Sequence, residues 1–510
     1  MPTSNQSIIV WQRTFQIVFG IISFSIASYS QIQPVSYRCD CAKIGLDSVW
    51  ADTNKVSCYL IPVERNFTKP RDKEYHLAVA TVPAIANDGQ DPVLYLHGGP
   101  GIATLENMPR YLKSKTFSKI RINHPLVFFD YRGTGFSEPA FCETLNDSVN
   151  TISSLKKELE SQINMTIAAY RNCNEEILKK DIQVTDFSSL QSAADAESIR
   201  NALGITKWNI YSVSHGTTVA LNMMRTFPKK IRSVILDSPF PTNAPWIDFI
   251  HPFDTCFKFL ENYIKADSLA TAHFPDIRKD FNKITTRLQA TPFEFPVTKS
   301  TGQPLTFNAS DFCWSVWSAM LDPSTIPLVP IALKEIAAGN DSVLARWALV
   351  FSNPDAFGKF ALAQSKAILL YETKPRFREE TEEYLLKNYP DFAYFITPGI
   401  EAILFNEFRP QRPPKKYFNA VKSKIPVLIY AGEFDPVCPP LFAQATARKL
   451  SNPTTIIVPA ASHAAMFVDD CTRNIGTEFF LNPHIKPVIS CLKSRKKIEF
   501  VSSDILKLLK

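Results

Sequence analysis

One serine lies where an apolar strand would turn sharply into a helix. Residues 210–213 are mostly apolar and β-forming, Ser214 and Gly216 follow, and a helical pattern runs through 217–227. Such a turn lifts a serine hydroxyl clear of a sheet, and the helix N-terminus behind it favours developing negative charge. Ser212 replaces the glycine usual at the start of this turn but is small enough for close backbone packing. The pattern predicts Ser214 as a nucleophile that forms an acyl intermediate.

An acid and a histidine follow the serine in the chain, each just after a further predicted strand. Residues 425–431 and 454–458 are short, apolar and branched, as in buried parallel strands, and they lead to Asp435 and His463 respectively. Because the carboxyl ends of parallel strands meet at one edge of a sheet, we expect both side chains to approach Ser214. His463 would then remove the serine proton, and Asp435 would orient the imidazole.

Glycines follow an earlier predicted strand at residues 92–96. The sequence His-Gly-Gly-Pro-Gly at 97–101 lets backbone amides point into a site without interference from a Cβ. Such a loop can supply an oxyanion donor besides the amide that follows the nucleophile. Another strand, at 125–129, leads into Asp-x-Arg-Gly-x-Gly-x-Ser at 130–137, which we interpret as a structural turn bordering the site.

Together these motifs resemble the proline iminopeptidase and tripeptidyl aminopeptidase family of α/β-hydrolases. The stretch 432–491 is similar to the tripeptidyl aminopeptidase branch more than to the small iminopeptidases. The resemblance implies an α/β-hydrolase fold with a mostly parallel central sheet, helices on both faces and a large, mainly helical inserted cap.

The resemblance also implies roles for single residues. The implied catalytic triad is Ser214, Asp435 and His463. The implied backbone N–H donors of the oxyanion hole are those of Gly99 and His215. Cys438 stands where the family often has a small hydroxyl residue. No cofactor is expected, and the cysteine spacing gives no metal site.

The chain is longer than one parallel-sheet core of about 250–300 residues requires. The excess falls mostly after a predicted strand at 231–236, in an aromatic-rich stretch with helical periodicity. We predict a core at 31–240 that carries a cysteine-containing N-terminal extension, an inserted cap at 241–418, and the rest of the core at 419–510. A proline-rich hinge at 409–414 would lead out of the cap.

The first thirty residues predict an export signal. Arg13 is their only charged side chain, and the apolar run at 17–27 is shorter than the about 20 residues of a membrane-spanning helix. We therefore predict a signal peptide at 1–30 and a secreted protein, extracellular or periplasmic, without a stable membrane span. An uncleaved anchor is the alternative.

All ten cysteines lie after this signal, and an even number in an exported chain suggests disulfides. The pairs expected from proximity and from the family resemblance are Cys142–Cys173, Cys471–Cys491, Cys58 with Cys39 or Cys41, and Cys256–Cys313. Cys438 would then be free.

Charge gives no sign of a nucleic-acid partner. The net charge of +7 is modest, and the basic cluster at 493–497 is interpreted as a solvated surface because no nucleic-acid motif accompanies it.

Substrate class is the least specified property. An aminopeptidase needs a carboxylate near its acyl site to bind a free N-terminal amine. The glutamates that the cap offers are Glu372, Glu379, Glu380, Glu382, Glu383, Glu401 and Glu407. Glu433 is the best placed substrate contact because it lies beside Asp435, and it is also the rival triad acid.

We expect a secreted serine exopeptidase that releases single residues or short peptides, including tripeptides, from substrates with a free N-terminus, with proline favoured near the cleaved bond. The oligomeric state is left open. An esterase or lipase with the same triad is one alternative, and a non-catalytic hydrolase-fold binding protein is another.

Overall fold

The structure is a computed structural model that describes most of the chain. The described residues are 37–69, 73–86, 89–155, 159–243, 249–295, 305–351, 359–373, 379–396, 404, 408, 413–495 and 497–501. The predicted signal peptide at 1–30 and most of the predicted hinge at 409–414 lie outside these residues.

Strands from the whole length of the described chain build one central sheet. The strands are β1 (Arg38–Cys39), β2 (Ser57–Glu64), β3 (Glu74–Val82), β4 (Val93–Leu96), β5 (Leu126–Phe129), β6 (Trp208–Val213), β7 (Ile231–Asp237), β8 (Phe293–Phe295), β9 (Leu305–Phe307), β10 (Val427–Gly432) and β11 (Pro453–Val458). All except β8 and β9 join this sheet, in the order β1–β2–β3–β5–β4–β6–β7–β10–β11.

The sheet has an antiparallel and a parallel half. Strands β1, β2, β3 and β5 pair antiparallel, whereas the pairs from β5 to β11 are parallel. Every residue of β4, β5, β6 and β10 is buried, since helices cover both faces of the parallel half. This burial explains the continuous apolar runs that predict these strands.

Helices surround the sheet and fill the segment between β7 and β10. Their bounds are α1 (Ser48–Asn54), α2 (Met108–Lys113), α3 (Lys115–Asn123), α4 (Leu145–Ser154), α5 (Leu159–Lys179), α6 (Ser189–Ala202), α7 (His215–Thr226), α8 (Ile250–Lys265), α9 (Ser268–His273), α10 (Ile277–Ala290), α11 (Ala309–Ala319), α12 (Leu328–Ala337), α13 (Asp341–Phe351), α14 (Leu362–Thr373), α15 (Glu379–Asn388), α16 (Pro440–Ala447) and α17 (Asp470–Leu481). None of these helices, within the described part of the chain, is both long and apolar enough to cross a membrane.

Two hydrophobic layers hold the helices against the sheet. On one face, α3 and α17 pack on β4, β5 and β10 through side chains such as Phe117 and Phe479. On the other face, α6, α7 and α16 pack through side chains such as Ile199 and Val219. Each fully buried aliphatic or aromatic side chain of this kind contributes about 1.5–3 kcal/mol to the stability of the fold. This packing holds the carboxyl ends of the strands in place.

The segment between β7 and β10 has an aromatic core of its own. Helices α8, α10 and α11 contribute the fully buried Phe253, Phe257, Phe281 and Phe312, and their rings meet largely edge to face or tilted. A short antiparallel hairpin of β8 and β9 was not predicted within this helical segment. The boundaries 241–418 of the cap stay a prediction.

The disulfides confirm part of the predicted pairing and correct one pair. Three bonds form, Cys41–Cys58, Cys142–Cys173 and Cys471–Cys491. The predicted Cys256–Cys313 bond is wrong, because both residues are free, buried thiols. Cys256 on α8 is directed to the loop after β10, where its Sγ donates to the carbonyl of Phe434 at 2.9 Å. The proximity of two cysteines in the sequence does not indicate in which direction each side chain points. Cys438 is free, as expected.

Candidate active site

Ser214 lies at the sharp turn between β6 and α7. Its backbone has φ 55° and ψ −128°, a conformation that costs energy for any residue with a Cβ. A Cβ on Gly216 would overlap the carbonyl oxygens of Leu96 and His97, so glycine is needed there. Ser212, in place of the usual first glycine, is fully buried and donates its hydroxyl to the carbonyl of Ile235 at 2.8 Å. The substitution is therefore accommodated inside the sheet.

Asp435 and His463 meet at the carboxyl edge of β10 and β11. The Nδ1 atom of His463 lies 2.9 Å from Oδ2 and 3.1 Å from Oδ1 of Asp435. Backbone N–H groups of Val437 and Cys438 donate to Oδ1 at 2.9 and 2.8 Å. The carboxylate of Asp435 is thus fixed from the loop side and aimed at the imidazole.

Charge pairing moves both pKa values in opposite directions. Burial raises the pKa of Asp435, but the charge and hydrogen bond of His463 and the two backbone donors outweigh it, and the pKa falls below its ordinary value. Burial lowers the pKa of His463, but Asp435 outweighs it and the pKa is raised. Because an ionised carboxylate only accepts hydrogen bonds, Nδ1 carries the hydrogen and the lone pair lies on Nε2 of the neutral ring.

Ser214 and His463 both border one thiol. Burial raises the pKa of the Cys438 thiol, and the neighbouring hydroxyl of Ser214 acts against that rise. Cys438 Sγ lies within 4.8 Å of a ring nitrogen of His463. Across the described residues, no hydrogen bond joins Ser214 Oγ to His463. Hydroxyl–imidazole bonds are often long or poorly aligned before substrate binds. The catalytic Ser214–His463 bond stays a prediction.

The end of β7 connects the serine turn to the histidine loop, a feature that sequence reasoning missed. The carbonyl of Asp237 accepts from the N–H of Ser214 at 3.0 Å, and Ser238 Oγ accepts from the N–H of Ala464 at 2.9 Å. The Asp237 side chain is fully buried, and its Oδ2 accepts from the N–H of Met466 at 3.0 Å. The last residue of β7 and the residue after it thus tie both loops to one strand.

Asp237 is therefore a second carboxyl group close to the imidazole. Burial raises its pKa to about 7, against the effect of its hydrogen bonds and of the nearby His463. The Oδ2 atom also accepts from the hydroxyl of Tyr211 at 3.1 Å. The only signal in the sequence is an acidic residue at the end of a buried strand.

The glycine loop at 97–101 touches the nucleophile. A Cβ on Gly98 would lie 2.8 Å from Ser214 Cβ and 3.3 Å from its Oγ, so only glycine allows this approach. Gly99 has φ 116°, which favours glycine. His215 is the first residue of α7, where backbone N–H groups have no partner within the helix. The oxyanion roles of Gly99 and His215 stay predictions.

The motif at 130–137 forms a buried turn beside this loop. Asp130 accepts from the backbone N–H groups of Thr104, Leu105 and Phe136 at 2.7–3.0 Å. Arg132 is fully buried in an ion pair with Asp195. The side chains of Asp130 and Arg132 thus bind neighbouring backbone and side-chain groups, as expected for a structural turn.

The glutamates considered from the sequence have different surroundings. Oε2 of Glu433 accepts from the N–H of Ala460 at 2.8 Å. Glu372, on α14, is buried; its Oε1 accepts from the N–H of Ser189 at 2.6 Å, and its Oε2 lies 3.6 Å from His215 Nε2. Neither ring nitrogen of His215 has a hydrogen-bond partner in the described structure. No spacing in the sequence distinguishes Glu372 from its neighbours.

Comparisons with known proteins identify the fold family. Residues 91–470 match the family model of the α/β hydrolase fold. The tripeptidyl aminopeptidase of Streptomyces lividans is 24% identical over 332 residues, which are 59% of this chain and 61% of that protein. The proline iminopeptidase of Neisseria gonorrhoeae is 23% identical over 160 residues, 31% of this chain and 36% of that protein. The chain thus spans about three-fifths or less of these two relatives.

One solved structure with a similar arrangement is a thermophilic esterase from Thermogutta terrifontis. It is 14% identical, covers 84% of this chain and 99% of its own, and has a TM-score of 0.37. The family model covers most of the chain, and its limits enclose the serine turn, the glycine loop, the acid and the histidine. The chain belongs to the α/β-hydrolase fold family and is related to tripeptidyl aminopeptidases and proline iminopeptidases.

Proposed function

We propose that the protein is a serine aminopeptidase that releases N-terminal residues or short peptides, including tripeptides, through Ser214, His463 and Asp435. The observation that carries the proposal is the hydrogen-bonded pair of His463 and Asp435 at the sheet edge, beside a serine in the backbone conformation of a nucleophile turn. The relatives named tripeptidyl aminopeptidase and proline iminopeptidase support peptides as the substrate class.

The proposed reaction proceeds in two steps. Nε2 of His463 removes the proton of Ser214 Oγ as that oxygen attacks the scissile carbonyl carbon, and the imidazolium is stabilised by Asp435. Backbone N–H groups of Gly99 and His215 donate to the oxyanion. His463 then returns the proton to the leaving amine, and a water molecule activated by the same nitrogen releases the acylated fragment.

Recognition of the free amine is assigned to Glu372. Its carboxylate is buried 3.6 Å from the imidazole of His215, the residue after the nucleophile. A carboxylate in such low-dielectric surroundings binds an ammonium group more strongly than an exposed one does. Glu433, the best placed candidate in the sequence, is the alternative, although its Oε2 already accepts from the N–H of Ala460.

Export is part of the proposal. The Cys41–Cys58, Cys142–Cys173 and Cys471–Cys491 disulfides suit an oxidising compartment. A signal peptide at 1–30 would direct the chain there. Sequencing the N-terminus of the protein from its native culture medium or periplasm tests this; a start at residue 1 would contradict cleavage.

A peptide and its N-acetylated twin test the reaction class. We expect cleavage of the free peptide and little or none of the acetylated one, because acetylation removes the charge that Glu372 would bind. Equal cleavage of the two peptides, or cleavage of acyl esters alone, would favour the esterase alternative. No turnover of any of these substrates would favour the binding protein.

Glu372→Gln and Glu433→Gln then identify the amine contact. Loss of a charge-assisted hydrogen bond of about 1.5–3 kcal/mol lowers kcat/KM for the free peptide about tenfold to a hundredfold. We expect this loss in Glu372→Gln, mostly as a higher KM. The structure around the side chain should be kept, because the amide oxygen can still accept from the N–H of Ser189. A selective loss in Glu433→Gln would assign the contact to Glu433. No loss in either variant would contradict both assignments.

A further inference from the structure

Three side chains of different chemistry lie close together around the imidazole of the proposed triad. A carboxylate oxygen of Asp435, Sγ of Cys438 and a ring nitrogen of His463 all lie within 4.8 Å of one another. Asp435 and Cys438 are buried, whereas the side chain of His463 is 19% exposed. Of the three side chains, His463 is therefore the one that solvent reaches.

The 4.8 Å limit on these separations exceeds the spacing of ligand atoms in a tetrahedral zinc centre by about 1.2–1.5 Å. Zinc binds cysteine sulfur at about 2.3 Å and histidine nitrogen or carboxylate oxygen at about 2.0–2.2 Å, which places the ligand atoms about 3.3–3.6 Å apart. Side-chain shifts of about 1 Å would close the observed cluster around an ion.

The chemistry of the ligands selects a thiophilic cation. Thiolate and imidazole together favour Zn²⁺ or Cd²⁺ over Mg²⁺ or Ca²⁺, which prefer oxygen ligands. A cysteine binds such a cation as the thiolate, so its thiol must first lose a proton. Binding replaces that proton: the S–H bond breaks, a sulfur–metal bond forms and the proton passes to solvent, with no change of oxidation state.

We propose that Asp435, Cys438 and His463 form an inhibitory site for a thiophilic divalent cation such as Zn²⁺. Asp435 faces Nδ1 of His463, so an ion held by all three side chains binds Nδ1 and breaks that hydrogen bond. The neutral ring then carries its hydrogen on Nε2, and the base is lost, whatever acyl substrate the triad hydrolyses.

Cys438 sets the sensitivity in this proposal. The other two ligands belong to the triad, and a hydroxyl in place of the thiol is a much weaker ligand for these cations. Replacing the sulfur atom by oxygen should therefore weaken metal binding while all three triad residues stay in place.

Two readouts test the site on the full-length protein. The first is the rate at which a fluorophosphonate labels the protein at increasing Zn²⁺, with each variant compared with its own metal-free rate. The second is the ultraviolet absorbance of Cd²⁺–thiolate bonds, which requires no catalysis. The variants are Cys438→Ser and, as a matched control, Cys313→Ser, which removes another fully buried free thiol.

Half-inhibition of wild type and Cys313→Ser is expected at a Zn²⁺ concentration at least tenfold below that for Cys438→Ser, with reversal by EDTA. One equivalent of Cd²⁺ should give a thiolate signal in wild type and Cys313→Ser that is missing from Cys438→Ser. Equal Zn²⁺ sensitivity of all three proteins, or an unchanged Cd²⁺ signal in Cys438→Ser, would overturn the proposal.

Cys438→Thr provides a second variant if the serine substitution prevents folding. The Cd²⁺ difference also keeps this site separate from the proposed function. A wild-type protein that fails to react with the fluorophosphonate but binds Cd²⁺ through Cys438 would refute the serine mechanism and leave the metal site intact.

Discussion

Replacing Asp435 by asparagine isolates the electrostatic contribution of the triad acid. The carboxylate lies 2.9 Å from Nδ1 of His463. At an effective dielectric constant of about 20, a full charge pair at that distance is worth about 6 kcal/mol. In the proposed reaction His463 becomes positively charged in the transition state, so removal of the carboxylate charge would raise the barrier by up to this amount. We predict a loss of about four orders of magnitude in kcat/KM.

The pH profile of the same variant provides an independent check. In the wild type the pKa of His463 is raised, so activity should fall on acidification at a pH above the ordinary histidine value of about 6.5. Without Asp435, burial lowers the pKa of His463, and this acid limb should move to lower pH. Glu433→Gln is the matched control, because it makes the same chemical change in the same loop without contacting His463. Its acid limb should stay in place.

The measurement is kcat/KM for a free-amine peptide between mildly acid and mildly alkaline pH, with urea unfolding to confirm that the variant is folded. A folded Asp435→Asn protein that retains more than about a tenth of wild-type activity would refute the reasoning, since a loss that small corresponds to only about 1.4 kcal/mol.

Two further predictions concern residues behind the site. Gly216→Ala should destabilise the protein by about 1–3 kcal/mol in urea unfolding, because the added Cβ would overlap backbone oxygens. In Gly476→Ala the added Cβ meets the flexible end of the Met466 side chain, so the free energy of unfolding should change by less than about 1 kcal/mol. Equal effects of the two substitutions would contradict this. Asp237→Asn should shift the acid limb of activity to lower pH, by less than Asp435→Asn, because the Asp237 charge contributes to the raised pKa of His463; an unchanged limb would show that the two groups are not coupled.

Apolar strands that end in reactive residues were predictable from the sequence. Residues 425–431 and 454–458 correspond to Val427–Gly432 and Pro453–Val458, and they bring Asp435 and His463 into hydrogen-bonding contact. The reason is that a buried parallel strand needs an unbroken apolar run, and the residue after that run must lie at the sheet edge. For these two strands, the local composition predicts both the strand and the place of the residues that follow it at the sheet edge.

Features set by contacts between distant segments were not predictable. The antiparallel strands β1–β3 alternate between buried and partly exposed residues in places and carry no motif. The position of Glu372 depends on how α14 packs over the core. The incorrect Cys256–Cys313 pair fails for the same reason, since the direction of each side chain is set by packing. Pairings made on proximity were right where the two cysteines are 31 and 20 residues apart, as in Cys142–Cys173 and Cys471–Cys491 respectively.

The most direct test of the central claim is to find where a fluorophosphonate attaches. The account predicts one adduct per molecule, mapped by mass spectrometry of peptides to Ser214 Oγ, and its loss in both Ser214→Ala and His463→Ala. Attachment to a different residue, or full labelling of folded Ser214→Ala, would show that Ser214 is not the nucleophile.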